Sequence, residues 1–517
     1  MRFPSRGHFS ILLSLLFVAL LSSCQSNGKD ESLSVSREDI KEYDKPEYSL
    51  KSRHIRQNIQ QLLDADQAQM YADNFTRAYY REERPFVWIT RRGIDHRADT
   101  LLQWLKDADG QGMKPSNFHV REIAENLQTL RNLDFAKKDV NRVMATLEYR
   151  LTQAYLRYTA GQRYGFTNPH QFMNRLLVEE VRGDKKIYRQ LYDKDTPTAS
   201  DSFYHVALTR LHEGKVGDFL REVQPSDSLY KQLQHEYQRT CGIDSGRARL
   251  ARINMERARW RSPQPHGKYV WVNLAGFELT AVDQRRDTSF TMKVCGGNQT
   301  HKTPLLSSAI RLVEMNPYWI IPTTIVRKEI VPRHTGDMDY FSRNRYRVLD
   351  KESGEEISPE LLTDNELASG KYTIRQDNGA GNSLGRMIFR FPNNFSVFLH
   401  DTNNHGAFNR EIRAVSHGCV RLERPLDLAV FLLDKPDSII IDKMRMAIDK
   451  SPLTQWGKRY LAENPNHQRL GSYTYKPTIP VFLDYYTLYP NLKGELQEHP
   501  DVYHYDEEIE KLLEIGD

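Results

Sequence analysis

The sequence has few cysteines, few long apolar runs and no concentration of charge of one sign. Four cysteines occur in 517 residues, so at most two disulfides can form. The formal net charge is +5, because 73 Lys and Arg oppose 68 Asp and Glu, and no dense basic run stands out. The sequence therefore lacks the clustered Lys and Arg residues that are typical of a nucleic-acid-binding protein. With 39% hydrophobic residues the chain is not compositionally disordered, and at roughly 150 residues per domain its length predicts about two to four globular units.

The longest apolar run lies at the N-terminus, from Phe9 to Leu21, after the basic residues Arg2 and Arg6. It is too short to span a membrane stably, and a basic start before an apolar run is typical of a secretory signal. The segment that ends in Cys24, Leu-Ser-Ser-Cys, resembles the lipobox of bacterial lipoproteins, in which the Cys is acylated and becomes the mature N-terminus. We therefore predict a signal peptide over 1–23 and lipidation of Cys24. An ordinary signal peptide with a chance Cys24 is the alternative.

Lipidation of Cys24 would leave Cys241, Cys295 and Cys419. An odd number of thiols in an oxidising compartment predicts that at least one stays free. A disulfide between Cys241 and Cys295 and two buried free thiols both remain open.

The first half of the chain has a helical pattern. Residues 24–48 are polar and charged, which is typical of a tether. From 49 to 260 apolar residues recur at spacings of three and four, as in Val143, Leu147 and Leu151, and predict helices with one buried stripe. No cluster of catalytic side chains stands out here, so we predict a helical scaffold domain.

The second half has the composition of a β-rich domain. The β-branched and aromatic segments 269–274 and 289–294 predict strands that pair as a hairpin. Residues 327–372 form a polar, basic stretch that is too long for an ordinary connection and predicts a lid. Further predicted elements are strands at 319–321, 387–391 and 396–400, a helix at 426–433 and a last strand at 479–486 in a C-terminal extension, 451–517, that packs on the catalytic domain.

The chemistry is concentrated in residues 396–424. Cys419 follows His417 and Gly418, and His400 precedes it by nineteen residues at the end of an apolar segment. A thiolate nucleophile needs an imidazole to take its proton, a small neighbour that admits substrate, and backbone N–H groups for the developing oxyanion. This segment can supply all three.

These residues resemble the signature of a known family. His400-Asp401-Thr402, followed by Ser416-His417-Gly418-Cys419-Val420-Arg421 with fifteen residues between His400 and Ser416, is similar to the signature of the YkuD-type L,D-transpeptidases. The resemblance is strong over about 250–450 and extends more weakly to the helical half, as in the large scaffold-containing lipoprotein members from Gram-negative bacteria. It implies an α+β fold, with a mostly helical scaffold domain before a β-rich catalytic domain at 266–450 that carries the inserted lid. The segment between Arg239 and Asn254 is too short for the peptidoglycan-binding repeat of many large relatives, so substrate capture falls to the lid and the cleft.

The resemblance also implies roles for individual residues. Cys419 is the expected nucleophile and His400 the general base, with His417 in support and the Gly418 backbone at the oxyanion. The backbone carbonyl of Asp401 is expected to orient the base, although its side chain is an alternative. The expected substrate-binding residues are Arg421, which can bind a carboxylate or serve a structural pair, together with Ser416, Trp319 and Phe398.

The implied reaction forms 3→3 cross-links in peptidoglycan through a Cys thioester, with a tetrapeptide donor, a diaminopimelate-type acceptor and no cofactor. It would serve cell-wall organisation and cell shape, and carbapenems would acylate the cysteine. The implied location is the periplasm, with the lipid in the outer membrane favoured over the inner one, and peptidoglycan synthases are possible partners.

Three alternatives remain. An L,D-carboxypeptidase would use the same Cys–His chemistry with water as acceptor. A non-catalytic wall scaffold would need neither Cys419 nor His400. A zinc site formed by His400, His405, His417 and Cys419 is disfavoured, because their spacing matches no common zinc motif.

Overall fold

The computed structural model describes residues 49–135, 139–261, 265–335, 337 and 339–514. The predicted signal peptide, Cys24 and the tether lie outside the described residues. Among the helices that are described, none combines the length and apolar character needed to cross a membrane. The chain divides into two compact units. Among the described residues, the first unit contains those up to Thr167, those in the segment Thr198–Arg259 and those from Glu510 onward, and the second contains those in Asn168–Pro197 and Trp260–Ile509.

The first unit is helical, as predicted. Its helices are Ser52–Ala65, Tyr71–Arg81, His96–Lys106, Val120–Asn132, Val140–Tyr164, Asp201–His212, Val216–Glu222, Ser228–Thr240 and Ser245–Arg259, with 3-10 turns at Asp109–Gln111 and Pro115–Phe118. One small hairpin pairs β1 (Ile89–Thr90) with β2 (Gly93–Ile94).

The helix Val140–Tyr164 forms the centre of this unit. It has 21 buried residues out of 25, so the prediction of a single buried stripe was wrong. Its buried polar groups are paired: the Glu148 carboxylate accepts the backbone N–H groups of Val87, Trp88 and Ile89. Such pairing removes the cost of burying a charge without partners, and it allows a helix with many polar residues to be enclosed on all sides.

The second unit is rich in strands. Its strands are β3 (Val178–Arg182), β4 (Lys185–Tyr188), β5 (Tyr192–Asp193), β6 (Lys268–Asn273), β7 (Glu278–Asp283), β8 (Thr288–Gly297), β9 (Leu305–Met315), β10 (Trp319–Ile320), β11 (Tyr346–Asp350), β12 (Glu356–Ile357), β13 (Tyr372–Gln376), β14 (Met387–Arg390), β15 (Leu399–His400), β16 (Ala414–Ser416), β17 (Val420–Leu422), β18 (Ser472–Asp484), β19 (Leu488–Pro490) and β20 (Leu496–Glu498). Its longer helices are Pro425–Phe431, Ser438–Ala447 and Gln455–Glu463, and the helix Tyr505–Glu514 belongs to it as far as Ile509.

The main sheet of this unit closes on itself. Its strands follow the order β14, β15, β17, β8, β7, β6, β18 and β9, and β9 pairs again with β14. The segments 269–274 and 289–294, predicted to pair as a hairpin, are separated by β7, which pairs with both β6 and β8. The prediction missed β7 because charged residues at both of its ends hide the alternation of buried and exposed side chains.

The predicted C-terminal strand is longer and more central than expected. β18 begins at Ser472, pairs in parallel with β6 and antiparallel with β9, and is followed by β19 and β20. The short strand β5 pairs in parallel with β9, and Lys194 forms a buried ion pair with Asp484 of β18. These contacts explain why residues 168–197 fold with the second unit, although the predicted scaffold domain included them.

The predicted lid is a folded subdomain that we call the cap, residues 319–376. Four of its strands form a sheet in the order β10, β13, β11 and β12, and its short helices are Thr323–Ile325, the π-helix Val326–Ile330, Val331–His334, Tyr340–Arg343 and Asp364–Ser369. Its own core contains Ile321, Val326, Ile330, Phe341 and Ile374, among others. These apolar residues are spread among charged ones, so the segment has the composition of a loop although it has a core.

Candidate active site

The candidate site lies where β15 and β17 run in parallel beside β8. Their register places His400 opposite Arg421, and Arg421 opposite Cys295 of β8. Cys419 comes immediately before β17, and the backbone N–H of Val420 donates to the carbonyl oxygen of Phe398 at 3.0 Å. Neighbouring strands therefore carry the predicted base and the predicted nucleophile.

The imidazole of His400 is buried and held by the backbone. Its Nδ1 lies 2.5 Å from the carbonyl oxygen of Asp401. Burial, reinforced by the positive charge of Arg421, lowers the pKa of His400 from 6.5 to about 4, and backbone hydrogen bonds to Asp401 and Leu384 oppose this shift only in part. The ring is therefore neutral near pH 7. Because a carbonyl oxygen can only accept, Nδ1 carries the proton of the neutral ring and donates this hydrogen bond. Nε2 therefore has the free lone pair that a proton acceptor requires.

The thiol of Cys419 keeps partial access to solvent. Its Sγ lies 3.8 Å from the carbonyl oxygen of Ser396. Burial raises its pKa above the ordinary value of 9.0, while a hydrogen bond to the Phe398 backbone and the charge of Arg421 act in the opposite direction. Within the described chain, no hydrogen bond joins Sγ to the imidazole of His400. The resting site therefore holds a neutral thiol and a neutral imidazole, and the proton has to move when the sulfur attacks.

The turn before Cys419 is braced by Ser416. The Ser416 hydroxyl donates to the carbonyl oxygen of Cys419 at 2.5 Å and accepts the N–H of Gly418 at 3.1 Å. Ser416 is buried, so it has a structural contact where substrate binding was predicted. The Gly418 N–H, predicted to face the oxyanion, is also occupied. Among the residues that the structure describes, the N–H groups of His417 and Cys419 have no acceptor, and they are the better candidates for that role.

Gly418 and Gly297 are packed against each other in this turn. Gly418 has φ +114°, a conformation that residues with side chains rarely adopt. A Cβ added to Gly297 would lie 2.0 Å from the carbonyl oxygen of His301 and 3.1 Å from the Cα of Gly418. Gly297 was not among the predicted site residues. The signal that could have identified it is the Gly296-Gly297 pair at the end of β8.

His417 is exposed and faces the cap. Its Nε2 contacts Oε1 of Glu329 in the π-helix of the cap, and its ring lies 4.7 Å from the ring of His301. Burial lowers the pKa of His301, and among the neighbouring charges that of His417 contributes most to this shift. Neither Glu329 nor His301 was predicted from the sequence.

The Asp401 side chain has a different partner from its main chain. Its Oδ2 accepts the backbone N–H of Arg386 at 2.8 Å, and its Oδ1 lies 3.8 Å from His405 Nε2. The carbonyl oxygen of Asp401 contacts His400, whereas its carboxylate binds the backbone of Arg386.

The other predicted binding residues, Arg421, Phe398 and Trp319, have different surroundings. Arg421 is partly buried, and its Nε has no hydrogen-bond partner within the described residues. The Phe398 ring packs 5.8 Å from that of Phe391. Trp319 is part of β10 and packs against the core of the cap, which gives it a structural contact there.

Metal ligands are not assembled in the described part of the chain, where no three His, Cys, Asp or Glu side chains are grouped to hold an ion. Cys241 and Cys295 are both free thiols, the first exposed and the second buried.

Two segments of the chain match known protein families. Residues 267–441 match the model of the YkuD family, described as an L,D-transpeptidase catalytic domain, and residues 73–236 match a family described as a Scaffold domain. A protein of Haemophilus influenzae named "Putative L,D-transpeptidase" is 26% identical over 310 residues, which are 60% of this chain and 59% of that relative. The aligned chain thus spans well under two thirds of the relative's length. The chain carries a YkuD-type L,D-transpeptidase catalytic domain preceded by a Scaffold domain.

Proposed function

We propose that the protein is a peptidoglycan L,D-transpeptidase that forms 3→3 cross-links through a thioester on Cys419. The observation that carries the proposal is the neutral imidazole of His400, tethered through Nδ1 to Asp401, beside a partly exposed thiol within the YkuD-type domain. This arrangement suits acyl transfer, because an uncharged base can accept the thiol proton as the sulfur attacks.

In the first half of the reaction, Sγ of Cys419 attacks the carbonyl carbon between the third and fourth residues of a tetrapeptide stem. In this proposal His400 Nε2 takes the thiol proton, and the N–H groups of His417 and Cys419 bind the oxyanion. The C–N bond then breaks, and the imidazolium returns its proton to the departing D-Ala amine. A thioester on Cys419 remains.

In the second half, an amine of a neighbouring stem attacks the thioester carbonyl. His400 accepts one proton from that amine and passes it to the sulfur as the C–S bond breaks. An amide joins the two stems and the thiol is regenerated. Water in place of the amine would make the protein an L,D-carboxypeptidase, so exclusion of water by the cap would determine the ratio of the two products.

The test is incubation of the purified protein with disaccharide tetrapeptide, with mass spectrometry of the products. We expect a dimer that has lost one D-Ala. Cys419→Ala should abolish it, and Cys241→Ser, which removes an exposed thiol of the first unit, should leave it unchanged. Tripeptide monomer alone would indicate a carboxypeptidase, and the absence of any product that depends on Cys419 would favour a non-catalytic wall scaffold.

A carbapenem gives an independent test of the acyl-enzyme. We expect the intact mass of the protein to rise by one drug molecule, with the adduct on Cys419. An unmodified mass after incubation would count against the proposed nucleophile.

We also propose that the protein acts in the periplasm, attached to the outer membrane by lipid on Cys24. The support is the basic, apolar and Cys-terminated pattern of the first 24 residues. Metabolic labelling with a fatty-acid analogue should mark the wild type and leave Cys24→Ala unlabelled, and membrane fractionation would then identify the membrane.

A further inference from the structure

Arg189 reaches the candidate active site from a segment that lies more than two hundred residues before Cys419. It follows the hairpin of β3 and β4, and its backbone N–H closes the hairpin base by donating to the carbonyl oxygen of Leu177 at 2.9 Å. On its other side, Leu191 accepts the backbone N–H of Leu305 at 2.8 Å. Arg189 is therefore held between a closed hairpin and the main sheet of the second unit, and its position is fixed on both sides.

The guanidinium group of Arg189 lies over the turn that carries the nucleophile. Nη1 lies 3.5 Å from the carbonyl oxygen of Thr300, and Nη2 lies 3.6 Å from the point where a Cβ of Gly418 would stand. The charge of Arg189 also acts on His301, because it contributes, after burial and the charge of His417, to the lowered pKa of that imidazole.

This charge has no acidic partner. Within the described residues, no carboxylate lies within ion-pair distance of Arg189, whereas Arg182 of the same hairpin is paired with Glu180 at 2.8 Å. Glu329 of the cap contacts His417. Thr300 occupies only one of the five guanidinium donors, so a partly buried cation with spare donors lies next to Gly418, the residue before Cys419.

We propose that Arg189 forms a carboxylate subsite that binds the stem peptide during acylation of Cys419. The inference rests on the proposed function for the identity of the ligand, although the subsite itself is defined by its charge and position. A planar guanidinium binds a carboxylate through two parallel hydrogen bonds. Two carboxylates of a tetrapeptide stem flank the scissile bond: the C-terminal carboxylate of the leaving D-Ala and the free carboxylate of the third residue.

The first test uses alkylation of Cys419 and does not require transpeptidation. Iodoacetate and iodoacetamide react with a thiol in the same way, by displacement of iodide, but only iodoacetate carries a carboxylate. We expect Arg189→Ala to lower the ratio of the iodoacetate rate to the iodoacetamide rate at Cys419 by about threefold to tenfold, because one charge is lost beside the nucleophile turn. Peptide mapping by mass spectrometry separates Cys419 from Cys241 and Cys295.

The controls for this test come from the same segment. Arg182→Ala removes an equal charge from the hairpin and should leave the ratio unchanged. Arg189→Lys keeps the charge and should retain most of the wild-type ratio. An unchanged ratio in Arg189→Ala would overturn the subsite whether or not the protein cross-links peptidoglycan. A lowered ratio in a protein without peptide turnover would support the anion subsite while contradicting the proposed function.

The second test identifies the carboxylate. Tetrapeptide donors are compared with analogues amidated either at the D-Ala C-terminus or at the third residue. We expect Arg189→Ala to raise the KM of the unmodified donor by about tenfold or more, in line with loss of a charged hydrogen-bonding partner. The amidation that abolishes the difference between the variant and the wild type identifies the bound group. A difference that persists with both analogues would overturn recognition of either carboxylate.

Discussion

His417, directly before Gly418 in the nucleophile turn, and Glu329, in the π-helix of the cap, are in contact through Nε2 and Oε1. The cap is therefore attached to the turn that carries Cys419. Because the cap has its own core, this contact holds a folded subdomain beside the nucleophile turn.

Loss of this contact should change the products of the reaction. We expect Glu329→Gln to raise the proportion of hydrolysed tripeptide to cross-linked dimer by several-fold, because a less firmly attached cap admits more water. The ratio is measured by mass spectrometry of the products. Glu360→Gln, an exposed change on the same subdomain, is the matched control, and an equal ratio in both variants would contradict a role for the contact.

The pH dependence of thiol alkylation should distinguish a neutral pair from an ion pair. Burial raises the pKa of Cys419 above 9.0 and lowers that of His400 to about 4. We therefore expect the rate of Cys419 modification by iodoacetamide to rise continuously through pH 9. A plateau between about pH 6 and pH 8 would show a thiolate–imidazolium pair, as found where a cysteine pKa is depressed.

The buried imidazole should also make stability depend on pH. In the unfolded chain His400 takes up a proton near pH 6.5, whereas in the folded protein it does so only near pH 4. Its contribution is fully present above pH 6.5 and is lost as the pH falls from 6.5 towards 4, by on the order of 3 kcal/mol.

Urea unfolding at about pH 7 and pH 4 measures this effect. The wild type should lose more free energy of unfolding between the two conditions than His400→Gln, which cannot titrate there. His119, whose pKa burial lowers to about 3, is present in both proteins and cancels in the comparison. Equal losses in the two proteins would show that His400 is not buried as a neutral ring.

Asp401→Asn should retain most of the activity. The base is held by the main-chain carbonyl of Asp401, which the substitution keeps, and the Asn side-chain oxygen can still accept the N–H of Arg386. We expect kcat to fall by less than about tenfold. Asp401→Ala removes that acceptor and should lower the free energy of unfolding by about 1–3 kcal/mol. If Asp401→Asn were as inactive as His400→Ala, the carboxylate would be the group that orients the base.

Gly297→Ala should disrupt the nucleophile turn. Its Cβ would overlap the carbonyl oxygen of His301 and approach the N of Thr303 to 2.8 Å, and backbone atoms cannot move aside as a side chain can. We expect a loss of about 3 kcal/mol in the free energy of unfolding together with loss of activity. Gly471→Ala, where no atom lies within 4 Å of the added Cβ, should be close to neutral in thermal melting experiments.

The sequence predicted the parts of the molecule that depend on local pattern. The change from a helical to a β-rich half is confirmed, because apolar periodicity and β-branched runs are local signals. The same holds for the family, since its signature lies within residues 400–421.

The parts that the sequence did not predict depend on tertiary contacts. Arg189 precedes Cys419 by more than two hundred residues, and tertiary contacts such as the pairing of β5 with β9 bring its segment to the catalytic sheet. The role of Ser416 follows from the hydrogen bonds of one turn, and the same motif is compatible with substrate binding. The core of the cap is divided among short elements, and none of them has a long enough apolar period to predict it.

The position of β18 has a consequence for synthesis of the protein. Residues 472–484 pair with β6 and β9, so the ring of strands that includes β15 and β17 cannot close until residue 484 has left the ribosome. A nascent chain that ends after the helix Ser438–Ala447 already contains the nucleophile and the base, yet it leaves β6 and β9 with open edges. Such edges invite pairing with other chains. A finished catalytic sheet therefore appears only after the synthesis of β18, well after that of His400 and Cys419.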